Sequence, residues 1–130
     1  MEDFVPYELA VKLKEKGFRE KCFARYYYSD KAYFERNSYD PDTNSILYCY
    51  NDDKDLGRFY IDAPTISQVL KWLRKKNIHL YTDVDNEGWF FEIKCLKTRF
   101  MINTDFFKRY NTYELAALAG IEYIIDNNLI

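Results

Sequence analysis

Apolar positions in this chain follow two periods, with helical stripes near the start, middle and end and alternating runs between them. Leu9, Ala10 and Leu13 are spaced for one helix face. Pro6 suits the first helical position, where a missing N–H costs nothing, and Gly17 stands where a left-handed cap is wanted. A helix over about 6–16 is predicted, with Phe18 folding back onto its end. Over 22–61 the period changes. Cys22 to Tyr28, Ile46 to Tyr50 and Gly57 to Ile61 are short aromatic and β-branched runs, the composition of strands. Turn-rich stretches at 37–45 and 51–55 join them into an expected antiparallel meander.

The second stripe is the clearest, with Ile66, Val69, Leu70 and Leu73 on one face. Thr65 and Gln68 read as the two halves of a capping box, and Arg74, Lys75 and Lys76 place positive charge at the end the helix dipole favours. Strict alternation then returns. Ile78, Leu80 and Val84 alternate with His79, Tyr81 and Asp83; after the turn at Asp85 to Gly88, Trp89, Phe91, Ile93 and Cys95 alternate with Phe90, Glu92 and Lys94. A short strand is expected near Phe100 to Asn103. The last helix is expected to start at Asn111, with Glu114 returning the capping bond, and to end near Asn127. Ala116, Ala117 and Gly120 give it a small-residue face; Leu115, Leu118, Ile121 and Ile125 give it a broader apolar one. The order is α-βββ-α-ββ(β)-α: an α+β fold, with an antiparallel sheet and about three helices packed on it. The 130 residues read as a single compact domain.

Composition narrows the function. The 13 Tyr, 10 Phe and 2 Trp make 19% of the chain aromatic, which excludes a disordered chain. Lys and Arg number 19 against 21 Asp and Glu, so net charge steers the protein toward neither nucleic acid nor anionic lipid. No run approaches the ~18–20 apolar residues that span a bilayer, and Glu2 and Asp3 stand where a signal peptide carries positive charge. A cytoplasmic protein with no membrane partner is expected. Cys22, Cys49 and Cys95 are odd in number and lack metal-ligand or redox spacing, so they read as reduced thiols. With four glycines and His79 as the sole histidine, no phosphate loop or multi-histidine metal site can be assembled. No catalytic residue, metal ligand or cofactor site is assigned, and the chain reads as non-enzymatic.

Two binding surfaces remain as candidates. Lys71, Arg74 and Lys75 share a helix face with Trp72 at its edge, and Lys97, Arg99, Lys108 and Arg109 follow later. Basic side chains beside an aromatic can grip phosphate and stack a base, although a solvated helix face with Trp72 on the core's rim is the plainer reading. The second candidate is the tyrosine surplus. Tyr26, Tyr27 and Tyr28 are consecutive, so at least one points away from the core, and Tyr48 and Tyr50 lie in the same half. Exposed aromatics suit protein interfaces, though tyrosine is also simply at home in sheets. Asn51, Asp53, Asp55 and Asp62, and again Asp83, Asp85 and Glu87, echo a calcium loop; both depart from it by the twelfth position and read as hairpin turns.

Three stretches, VPYELAVKLKEKGF with Cys22-Phe23, APTISQVLKWLRKK, and YNTYELAALAGIEYIIDNNLI, together resemble a group of small uncharacterised proteins of Bacteroidales genomes, often in phage-like or mobile regions. The resemblance implies a cytoplasmic accessory protein and carries no activity or site. The leading expectation is a module that binds another protein, or itself, through its tyrosine-rich sheet. The alternative is a nucleic-acid-binding accessory domain using Lys71, Arg74, Lys75 and Trp72.

Overall fold

A computed structural model describes residues 3–22, 24–27, 38–40, 45–49, 60–96, 100–102 and 108–130. Its contacts divide into two compact units, 1–65 and 66–130. Among the described residues, three helices and two small antiparallel sheets make it an α+β protein, in the expected order with a fourth strand in the first group.

The first unit opens with α1 (Tyr7–Glu15), which buries Leu9, Ala10 and Leu13. Pro6 is the N-cap residue, one position earlier than the sequence reading placed it. At the other end Gly17 takes φ 96°, its N–H bonding the Lys14 carbonyl, and the Phe18 N–H bonds the Leu13 carbonyl. These are the two bonds of a Schellman cap, and buried Phe18 and Leu13 supply its apolar pair. Strands β1 (Ala24–Tyr27), β2 (Ser38–Asp40), β3 (Ser45–Cys49) and β4 (Tyr60–Asp62) form one sheet in the order β2-β3-β1-β4. Strand β2 falls inside the stretch read as a connection, because turn-forming residues outweigh a single Tyr39 in any pattern search. The chain start is fastened to the end of this unit: the Val5 N–H bonds the Pro64 carbonyl, and Phe4 bridges Thr65.

The second unit begins with α2 (Ile66–Lys75), directly after Thr65. Its buried residues are Ile66, Val69, Trp72 and Leu73. Asn77 then turns left-handed at φ 64° and leads into β5 (Ile78–Asp85). Strands β5, β6 (Gly88–Cys95) and β7 (Phe100–Ile102) pair antiparallel in that order. The expected alternation holds at the base of the hairpin, where Ile78, Leu80, Phe91 and Ile93 are buried, and lapses toward its tip, where Val84 is 48% exposed. Helix α3 (Tyr113–Asp126) packs on β5 and β6, and α2 packs on β5 and α3.

The small-residue face of α3 is where the hairpin comes closest. A Cβ added at Gly120 would lie 2.5 Å from Leu80 Cδ1 and 3.2 Å from Phe91 Cδ2. The N-cap is Thr112, not Asn111: its hydroxyl accepts the Leu115 N–H at 3.1 Å, which puts Glu114 at the second helical position. Leu115 is 48% exposed rather than part of the apolar face, and Ile124 is fully buried.

Candidate functional site

Asp85 organises the hairpin tip. Its Oδ1 accepts the Glu87 and Gly88 N–H groups at 2.9 and 3.2 Å, closing the turn on itself. The Arg109 guanidinium donates to the same carboxylate, Nε at 3.1 Å to each oxygen and Nη2 at 2.7 Å to Oδ2. These donors hold the Asp85 carboxyl well below the usual range, at about 2. The far face of the guanidinium lies over Phe90, 4.5 Å from the ring centroid.

This clasp lays residues 108–110 along the start of β6. Trp89 and Tyr110 exchange two backbone bonds, Trp89 N–H to the Tyr110 carbonyl at 2.9 Å and the reverse at 2.8 Å. Gly88, at φ 137°, makes the approach feasible: a Cβ there would sit 2.9 Å from the Tyr110 oxygen. Tyr110 is thereby set beside Phe91, ring centroids 6.4 Å apart and tilted by 37°. Phe91 also meets Tyr123 of α3, ring centroids 6.3 Å apart and tilted by 46°.

A hollow of about 240 Å³ opens among Phe91, Tyr110, Ala119, Glu122, Tyr123, Asp126 and Asn127. Ala119, Glu122, Tyr123 and Asp126 fall at i, i+3, i+4 and i+7, one face of α3 beside its buried stripe. Ala119 leaves the space that a larger side chain would fill. Asn127 closes the helix end, its side-chain and backbone N–H groups both donating to the Tyr123 carbonyl at 3.0 Å. Phe91 is the buried floor; Tyr110 and Tyr123 are half-buried walls, and Glu122 and Asp126 are exposed. Among the described residues, the lining offers aromatic faces, two carboxylates and the Asn127 amide. Such a surface offers ring faces and polar groups for a partner to contact.

The residues singled out from sequence fare differently. Lys71, Arg74 and Lys75 are exposed together on α2. Trp72 is not at the rim: it is 5% exposed in the core, and Lys76 Nζ lies 5.0 Å from its ring, so it offers no face to a base. Arg109 is held by Asp85, while Lys97 and Arg99 lie outside the described residues. Tyr26 is a core residue, 1% exposed, donating its hydroxyl to the Val5 carbonyl at 2.6 Å and meeting Tyr7 edge-on at 5.7 Å. Tyr28 and Tyr50 lie outside the described residues, as do the side chains of Tyr27 and Tyr48.

Of the calcium-like loops, the second has its central carboxylate committed to the turn and Arg109, and Asn51, Asp53 and Asp55 of the first lie outside the described residues. Among the described residues, no cluster of three His, Cys, Asp or Glu could hold a metal ion, and no helix is long and apolar enough to cross a membrane. Cys22 is buried, and burial beside Asp62 and Glu20 pushes its thiol up to about 12. The hollow went unnoticed in the sequence because its parts come from three separated segments; the α3 face at 119, 122, 123 and 126 was the available signal.

No protein-family model matches the chain, and no curated protein or solved structure matches it either.

Proposed function

We propose that the chain is a non-enzymatic interaction module that recognises a partner protein through the aromatic hollow of residues 66–130. The observation that carries this reading is the hollow itself: three rings and two carboxylates surround a space that Ala119 leaves open. Folding alone favours covering such rings, and aromatics kept at a concave surface are the usual anchors of protein recognition. A second aromatic pair is accessible nearby in sequence: Tyr113, 36% exposed, meets Trp89 edge-on at 5.9 Å.

Exposure of Lys71, Arg74 and Lys75 supports a second reading, nucleic-acid contact along α2. With Trp72 in the core, that contact reduces to phosphate attraction, which is sequence-independent and falls steeply with salt.

Affinity capture from cell lysate, with and without nuclease, separates the two. Wild-type bait should retain a protein that survives nuclease and is lost with Ala119→Phe bait, whose ring fills the hollow. Material that vanishes with nuclease, and with Lys71→Glu/Lys75→Glu bait, would instead assign the function to α2.

A further inference from the structure

We propose that residues 108–110 form a strap that opens locally from β6, that the Asp85–Arg109 pair is its latch, and that opening withdraws Tyr110 from the hollow. The inference rests on the hollow being the recognition surface and supplies its regulation. Trp89 and Tyr110 form an isolated bridge of two backbone bonds, and among the described residues neither Lys108 nor Arg109 adds a further rung. Sheet pairing draws its stability from successive rungs and their cross-strand side chains, so a single rung belongs to the part of a fold that opens at low free energy. Lys108 is exposed, and Arg109 and Tyr110 are only half-buried, so less apolar burial opposes opening here than along the buried stripe of α3.

The latch lies at the hairpin tip. Arg109 donates to both oxygens of Asp85, and Glu87 in the same turn adds attraction for the guanidinium. Paired bonds of this kind fix orientation as well as distance, so Arg109 is a positioning residue for its neighbour Tyr110. Gly88 lets the strap lie close, since a Cβ there would meet the Tyr110 oxygen at 2.9 Å and Arg109 Cβ at 3.1 Å. Asp85 is exposed, and an ion pair that water reaches is broken at far less cost than a buried one. The hollow therefore has two forms. With the strap down, Phe91 meets both Tyr110 and Tyr123; with it up, Phe91 keeps Tyr123, which α3 carries, and loses Tyr110. A partner seated against Tyr110 favours the closed form, and by reciprocity a closed latch strengthens that partner's binding.

Amide hydrogen exchange of the full chain, with no partner present, tests the latch separately from recognition. The Trp89 and Tyr110 amides should exchange together, faster than those of fully buried Ile121 and Ile124 in α3, and at a rate that low urea leaves unchanged. Asp85→Asn keeps an oxygen for the turn and removes the charge; Arg109→Gln removes the fork. Each should speed exchange at Trp89 and Tyr110 by about threefold or more. Gly88→Ala/Arg109→Gln should hold the strap open, so that nuclear Overhauser contacts between the Phe91 and Tyr110 rings vanish while those between Phe91 and Tyr123 persist. Exchange at Trp89 and Tyr110 that rises with urea in step with Ile121 and Ile124 would overturn local opening, as would loss of both ring contacts. Rates unchanged in Asp85→Asn and Arg109→Gln would overturn the latch. A Phe91–Tyr110 contact that survives in Gly88→Ala/Arg109→Gln would sever the strap from the hollow. None of these results bears on whether the hollow binds a partner, which affinity capture decides by itself.

Discussion

Gly88 is required twice over, by a φ of 137° and by a carbonyl oxygen 2.9 Å from where its Cβ would stand. Gly17 is required once, by φ 96°, with nothing within 4 Å of its added Cβ. Chemical denaturation should therefore separate them: Gly17→Ala should cost about 1 kcal/mol, and Gly88→Ala about 2–4 kcal/mol, since backbone must also move. The Asp85–Arg109 clasp sets an acid limit on the same corner. A carboxyl lowered from 3.8 to about 2 stabilises the fold above its ordinary value, and that contribution is lost as pH falls from about 4 through 2. Nuclear magnetic resonance shifts of Gly88 and Tyr110 should follow this titration, and Asp85→Asn should abolish it. Both glycines and the hairpin turn were legible in sequence, because turn geometry leaves few residue types to choose from. The positions of Tyr26 and Trp72 were not. Three consecutive tyrosines satisfy a strand in either parity, and a helix with both Leu70 and Trp72 apolar can be rotated to bury either one.

At the scale of elements, α3 was visible as a helix but its start was off by one residue. Asn111 and Thr112 are both good caps, and the outcome turns on which one's side chain reaches an orphan amide. Thr112→Ala should cost about 1 kcal/mol, while Asn111→Ala should be close to neutral in the same thermal-unfolding assay. Its far end uses Asn128 at φ 53° as a left-handed stop, with the Leu129 N–H on the Ile124 carbonyl at 3.0 Å. Gly120 ties this helix to the β5–β6 hairpin. Alanine there gains up to about 1 kcal/mol of helix propensity but displaces buried Leu80 and Phe91, so Gly120→Ala should be destabilising by about 1–3 kcal/mol net. Period and capping chemistry carried these elements into view. The extra strand β2 stayed hidden because three residues rich in turn formers have no period of their own; only pairing with β3 makes them a strand.

In the molecule as a whole, the α+β order was readable because helical and alternating periods follow one another cleanly along the chain. The candidate site was not, since Phe91, Tyr110 and the outer face of α3 converge only after β6, the Asp85–Arg109 clasp and the helix are in place. Of the tyrosines singled out in the sequence, Tyr26 went to the core and the side chains of Tyr27, Tyr28, Tyr48 and Tyr50 lie outside the described residues, while Tyr110 and Tyr123 are half-buried and Tyr113 is exposed. The central claim is thus one of place, and residue-resolved mapping addresses place directly. Backbone amide shifts of the full chain should be recorded as the partner protein retained by affinity capture is added. The account predicts that the largest changes fall at 89–91, 110 and 119–127 and saturate together. Changes centred on 66–76, or spread evenly over the chain, would contradict it.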